Sequence, residues 1–142
     1  MIRVLLHVLV PVLAACAMNV LIFSLGWNMR TGPVNPWIPP GAVVGAIWIV
    51  LLGLLGYVHY LCHDHWSRFL VIGTVVFCVM YPVFTAGLKQ TRVARLLNLL
   101  TLLIAFVAAW GVHESGSRVA TWCMLPLVLW ASYVNFADAI VC

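Results

Sequence analysis

The sequence predicts an all-α integral membrane protein, a bundle of five transmembrane helices. Two observations lead to this prediction: 65% of the 142 residues are hydrophobic while only 7% are charged, and the apolar residues fall into five long runs. A water-soluble domain carries about 25% charged residues, so lipid must cover most of this surface. The net charge of +4 is small and scattered, and it does not indicate a nucleic-acid partner.

The five runs have the length and spacing of membrane-crossing helices. They contain 17 to 22 residues each and cover residues 4–25, 41–62, 69–88, 96–112 and 119–137. At 1.5 Å per residue these helices are roughly 26–33 Å long, which matches a hydrocarbon core of about 30 Å. Strands of a barrel would be shorter and would alternate polar with apolar residues. We therefore predict one domain, residues 1–142.

The first run allows a second interpretation. Arg3, an apolar stretch and the LAAC sequence ending at Cys16 resemble a bacterial lipoprotein signal with a lipidated cysteine. The apolar run continues to Leu25, beyond the site of such a cleavage. This continuation favours a retained spanning helix.

Basic residues predict the orientation of the bundle, because cytoplasmic connections are enriched in Lys and Arg. Five crossings place the termini on opposite sides of the membrane. The side of the N-terminus carries Arg3, Arg68 and Arg118, with Asp64 and Glu114 nearby. The other side carries Arg30, Lys89, Arg92 and Arg95. The short loop predicted at 89–95 is the most basic segment, so we expect the N-terminus outside and the C-terminus in the cytoplasm.

Few side chains are arranged for chemistry. The sequence has no carboxylate pair, Ser-His-Asp set, phosphate-binding loop or HExxH motif, so we predict no catalytic residue. Asp138, at the end of the last run, is expected to be a solvated interfacial carboxylate rather than a proton relay.

All five histidines are predicted near one interface of the membrane: His7, His59, His63, His65 and His113. Neutral imidazole is a common ligand of metal ions and haem iron. Histidine is also tolerated at a membrane interface, and this second interpretation is favoured, so no metal ligand is predicted. The sequence leaves open whether the five side chains meet.

Tryptophan and proline together predict an aromatic-lined cavity for a flat ligand. Trp48 and Trp130 fall inside the apolar runs, where an indole N–H needs a partner. Three prolines interrupt the first, third and fifth helices and open space between neighbouring helices; they are Pro11, Pro82 and Pro126. Most other tryptophans lie near predicted boundaries, as in an aromatic belt.

Two segments resemble a known family. The sequence PWIPPGAVVGAIW at 36–48, followed by GY at 56–57, is similar to the loop and second helix of the tryptophan-rich sensory protein / translocator protein family, also called the peripheral benzodiazepine receptor family. The sequence LPLVLW at 125–130 is similar to the L-P-Y-x-x-W of the family's fifth helix. The chain departs from the family pattern at Leu127, in place of the tyrosine, and at Phe77, near a usual asparagine.

The resemblance implies a divergent, bacterial member of the family, in the bacterial inner membrane (or the mitochondrial outer membrane if the chain is eukaryotic). It implies a five-helix bundle, often a homodimer, surrounded by membrane lipid. A pocket beneath the 26–40 loop would bind porphyrins, haem and other flat hydrophobic ligands, with the tetrapyrrole as a ligand rather than a required cofactor. We expect the ligand to contact Trp37, Pro39, Pro40, Ile47, Trp48, Leu51, Phe77, Trp110, Trp130, Ala131 and Val134.

The leading functional interpretation is a binding or sensor protein for tetrapyrroles. The alternatives are a transporter of porphyrins or lipids, a porphyrin-degrading activity that depends on Trp48 and Trp130, and a membrane assembly subunit with no ligand. Transport lacks an obvious energy source, because the sequence shows neither a nucleotide motif nor a buried acid pair.

Overall fold

The computed structural model describes residues 2–27, 35–88 and 91–140. These residues form five α-helices and no strand: α1 (Ile2–Ser24), α2 (Gly41–Leu61), α3 (His65–Leu88), α4 (Thr91–Glu114) and α5 (Arg118–Ile140). All five are long and apolar enough to cross a membrane. The predicted fold class is therefore confirmed. Arg30 and Lys89, used above to orient the bundle, lie outside the described residues.

Two helices begin earlier than the apolar runs predicted. α3 begins at His65 because Asp64 caps it: the Ser67 backbone N–H donates to Asp64 Oδ2 at 2.7 Å. Hydrogen bonds from Ser67 hold the pKa of the Asp64 carboxyl below its usual range. α4 begins at Thr91, so the loop predicted at 89–95 is wrong: Arg92 and Arg95 occupy the first turns of a helix. Hydrophobicity marks only the part of a helix that lies in lipid, whereas caps set its end.

Two glycines in the left-handed region end α1 and α4. Gly26 has φ 68°, and Gly116 has φ 79°. After α1, the Gly26 N–H donates to the Phe23 carbonyl at 3.0 Å and the Trp27 N–H donates to the Ile22 carbonyl at 3.1 Å. This pair of bonds satisfies the last carbonyl groups of the helix.

The helices pack as a ring in the order α1, α2, α5, α4, α3, and α2 also contacts α3 across the ring. The core is formed largely by α2 and α5, through buried side chains such as Leu52, Leu55, Met124 and Leu127. Successive helices run in opposite directions. We call the side with the α1–α2 connection and the end of α5 the loop side, and the side with the start of α1 the amino-terminal side.

Proline and glycine bring α1 and α2 into close contact. Pro11 has no N–H to donate to the His7 carbonyl, four residues earlier. That carbonyl lies against Gly56 of α2, where an added Cβ would be only 2.1 Å from the His7 oxygen. The two helix backbones approach this closely because Gly56 has no side chain.

Candidate functional site

Four polar or aromatic side chains lie at one depth below the loop side of the bundle. Trp48, Tyr81, Asn98 and Tyr133 are each seven residues from the loop-side end of α2, α3, α4 and α5, respectively. At 1.5 Å per residue this places them about 10 Å from the helix ends. The loop side therefore carries a polar and aromatic layer.

A chain of hydrogen bonds in this layer ties three helices together. The Tyr81 hydroxyl donates to Asn98 Oδ1 at 2.5 Å, and Asn98 Nδ2 donates to Asp138 Oδ2 at 2.6 Å. Asn135 Nδ2 donates to the backbone carbonyl of Asn98 at 2.9 Å. All these groups are partly buried, and lipid offers them no hydrogen-bond partner. Each group is therefore satisfied by another group of the protein.

Asp138 is part of this chain of hydrogen bonds. The sequence suggested a solvated carboxylate at the membrane interface, but the side chain is half-buried and accepts the hydrogen bond from Asn98. Asp138 lies two residues from the end of α5, so it keeps the expected position at the membrane interface. The structure adds a hydrogen bond within the bundle to a carboxylate that was expected to be solvated.

Residues 35–40, which precede α2, are held over α5. Asn35 Nδ2 donates to the Ala137 carbonyl at 3.1 Å, and the Tyr133 hydroxyl donates to the Trp37 carbonyl. Asn35 Oδ1 in turn accepts from the Trp37 backbone N–H at 2.9 Å. Residues 35–40 thus lie across the loop-side end of α5, immediately before α2 begins.

Two pairs of stacked aromatic rings include residues of this layer, one pair between α2 and α3 and one pair on α5. The Trp48 and Tyr81 rings have centroids 6.4 Å apart at an interplanar angle of 30°. The Trp130 and Tyr133 rings have centroids 5.8 Å apart at 29°. Both tryptophans are partly buried and pack against the hydrophobic core.

An apolar groove of about 580 Å³ runs between α2 and α5. Its lining residues are Val43, Ala46, Ile47, Val50, Leu51, Pro126, Leu129, Trp130 and Tyr133. The volume lies within the 300–1,000 Å³ range of typical ligand pockets. The exposed side chains of Val50 and Leu129 stand at its edge, so the groove opens sideways, toward the lipid.

The profile of the TspO/MBR family matches residues 7–140. The chain belongs to the TspO/MBR family. It is similar to the tryptophan-rich protein TspO of Bacillus cereus, with 24% identity over 106 residues, which cover 70% of this chain and 69% of the relative. No solved structure matches the chain. The resemblance drawn from the sequence is confirmed, and TspO/MBR membership indicates an integral membrane protein with a sensor, binding or transport role.

The structure of this TspO/MBR chain brings together some of the predicted site residues. Ile47, Leu51 and Trp130 line the α2–α5 groove. Trp37 is joined to the groove wall through Tyr133. Ala131, adjacent to Trp130, is 4% exposed and belongs to the core.

Other predicted residues lie apart from the groove lining. Trp48 packs on Tyr81 rather than on the groove. Phe77 and Val134 are half-buried on α3 and α5, and Pro39 and Pro40 precede α2. Trp110 does not join the site: it lies four residues from the amino-terminal-side end of α4 and is 70% exposed.

The sequence reasoning missed the residues that build the layer. Asn35, Tyr81, Asn98 and Tyr133 make its inter-helix or loop contacts, yet none was predicted to contact a ligand. The predicted runs did not reveal the common depth, because Asn98 is two residues from the start of the 96–112 run and Tyr133 is four residues from the end of the 119–137 run. Which of these side chains contact each other depends on which helices are neighbours, and the periodicity of the sequence does not identify neighbouring helices.

The histidines meet only in part. The His7 and His59 rings stack with centroids 5.1 Å apart and an interplanar angle of 25°, whereas His63, His65 and His113 are exposed. Across residues 2–27, 35–88 and 91–140, no three His, Cys, Asp or Glu side chains are grouped as metal ligands.

Proposed function

We propose that this chain is a membrane binding or sensor protein for tetrapyrroles and other flat hydrophobic ligands. The proposed site is the groove between α2 and α5, beneath residues 35–40. One observation supports it most: the Trp130–Tyr133 stack borders an apolar groove, and Tyr133 is also hydrogen-bonded to the connection that lies above it.

The groove offers what a flat macrocycle needs. Aliphatic side chains such as Ile47 and Leu51 form one wall, and Trp130 forms part of the other. An aromatic contact contributes roughly 0.5–1.5 kcal/mol beyond the burial of its area. The opening toward lipid lets an apolar ligand enter from the hydrocarbon region, so the ligand need not pass through water.

The polar layer behind the groove would hold the groove in one shape. Asn98 links Tyr81 of α3 with Asp138 of α5, and Trp48 packs against the same Tyr81. These contacts hold α5 in a defined position relative to α3 and α4. A preformed wall loses less conformational entropy when a ligand binds.

The link from Tyr133 to Trp37 suggests how binding would be sensed. A ligand against Trp130 would also contact Tyr133, whose hydroxyl donates to the Trp37 carbonyl. Residues 35–40 would be either hydrogen-bonded to Tyr133 or released from it. A ligand with a higher affinity for one of these two states would shift the equilibrium toward that state. A homodimer in the bacterial inner membrane is a further proposal, supported by the family resemblance.

The test is titration of protoporphyrin into the purified protein, with binding read from the porphyrin absorption band. We expect Trp130→Ala to weaken binding at least tenfold, because losing a buried aromatic contact costs about 1–2 kcal/mol. Trp48→Ala should weaken it less, since Trp48 packs behind the groove. Trp66→Ala is the matched control, because Trp66 is 64% exposed at the amino-terminal-side start of α3.

An equal loss of affinity in Trp66→Ala and Trp130→Ala would contradict the proposed site. The same preparations distinguish the alternative functions. Accumulation of porphyrin inside proteoliposomes would indicate transport, and product formation in light or darkness would indicate degradation.

A further inference from the structure

A second cavity lies between α1, α2 and α3 and extends from near the amino-terminal side to just past the middle of the bundle. It encloses about 540 Å³, and its walls include Val10 and Pro11 of α1, Gly56 of α2, and Val75 and Val79 of α3. Gly56 lies close to the His7 carbonyl, and both residues line the cavity. Val10 is 61% exposed and stands at the mouth, so this cleft also opens sideways.

The length of the cleft corresponds to one leaflet of a bilayer. Its lining on α3 runs from Val71 to Met80, and the nine steps between them span about 14 Å at 1.5 Å per residue. Half of a hydrocarbon core of about 30 Å is roughly 15 Å. The cleft thus has about the length of one acyl chain, and it reaches from near the amino-terminal interface to just past the middle of α3.

Polar and basic groups stand only at the interface end of the cleft. His7 and His59 line it there, with their rings stacked. His7 Nδ1 donates to the Arg3 carbonyl at 2.7 Å, so Nε2 of the neutral ring is an acceptor, and His59 is the imidazole left to donate to an anion. Arg68 lies one helical turn before Val71 and Ile72, which line the cleft, so it stands on the same face of α3 at the interface.

The acidic side chains of this interface, Asp64 and Glu114, are exposed and do not line the cleft. The Asp64 carboxylate accepts the Ser67 N–H as the cap of α3. The interface end therefore combines the His59 imidazole with the Arg68 guanidinium, an arrangement complementary to a phosphate anion.

We propose that this cleft binds a bilayer phospholipid with an anionic headgroup, with one acyl chain between α1 and α3 and the phosphate at His59 and Arg68. The sideways opening leaves room for the second chain to stay in the surrounding lipid. This proposal is independent of the tetrapyrrole groove, which lies between α2 and α5.

The experiment is native mass spectrometry of the full-length protein in detergent, with phosphatidylglycerol or phosphatidylcholine of identical acyl chains. We expect phosphatidylglycerol to be retained about fivefold more tightly, the effect of roughly one basic side chain near a lipid headgroup. Arg68→Gln should abolish this preference. Arg118→Gln is the matched control: it removes the same charge on the same side, at the start of α5, and should keep the preference.

A second variant tests the apolar part of the site. Ala14 lines the cleft and is exposed at its mouth, so Ala14→Phe fills the space with little strain on the fold. We expect it to reduce retention of both lipids, at an unchanged melting temperature. Equal retention of the two lipids by the unaltered protein, or equal losses in Arg68→Gln and Arg118→Gln, would overturn the proposal. Displacement of the lipid by oleate but not by excess phosphatidylglycerol would also overturn it.

Discussion

The contact between Gly56 and α1 gives a sharp test of how this bundle is held together. In Gly56→Ala, the new Cβ would be 2.1 Å from the His7 oxygen, 2.8 Å from the His7 carbonyl carbon and 3.0 Å from Val8 Cα. All three atoms belong to the backbone, so no side-chain rotation relieves the overlap. Normal carbon–oxygen contacts at helix interfaces are about 3.3 Å or longer, and α1 must therefore move away by roughly 1 Å.

The expected cost follows from that displacement. A gap of about 0.5–1 Å forfeits a quarter to a half of the dispersion energy of each contact it separates, and overpacked interfaces are typically destabilised by about 1–3 kcal/mol. Alanine itself favours a helix by up to ~1 kcal/mol over glycine. We therefore expect a net destabilisation of about 1–2 kcal/mol in Gly56→Ala.

Other glycines of the bundle provide matched controls. At Gly53 an added Cβ would meet Val8 Cγ1 at 3.6 Å and Val12 Cγ2 at 3.9 Å, which are ordinary contacts, so Gly53→Ala should be neutral or stabilising. At Gly111 the nearest atom is Leu70 Cδ1 at 2.4 Å, the end of a side chain that can rotate. Gly111→Ala should give an intermediate result.

The measurement is the free energy of unfolding in mixed micelles, from SDS titrations followed by circular dichroism. The predicted order of stability is Gly53→Ala, then Gly111→Ala, then Gly56→Ala. If Gly56→Ala were as stable as Gly53→Ala, the close approach at His7 and Pro11 would not exist, and the argument for it would fail.

Two further predictions concern the polar layer and the orientation. Asn98→Ala removes the partner of both Tyr81 and Asp138 and should destabilise the bundle by about 1–3 kcal/mol, since each such bond in a membrane contributes about 0.6 and at most ~1.7 kcal/mol. Thr101→Val, which removes a bond within α4 alone, should cost less in the same SDS titration; equal costs would refute the bridging role. Reporter fusions at the α3–α4 connection and after Ser117 should report opposite sides, with the former cytoplasmic. Identical reports from both positions would contradict a five-span topology.

Much of the architecture could be read from hydrophobicity alone. Five apolar runs of bilayer length predicted five helices, and the structure shows five at nearly the same positions. The signal is strong because lipid offers no hydrogen bonds, so any spanning segment must satisfy its backbone internally. The motifs around Trp37, Trp48 and Trp130 likewise predicted the family that the profile match confirms.

The tertiary structure decided which side chains meet. Trp48 and Trp130 looked equivalent in the sequence, yet one packs on Tyr81 and the other borders the α2–α5 groove. Asp138 looked like a solvated end group, yet it is bound to Asn98. Apolar runs of this kind carry little periodicity, because lipid and protein interior are similarly apolar, so the sequence does not mark which face of a helix turns inward. Only the packing order of the five helices determines that.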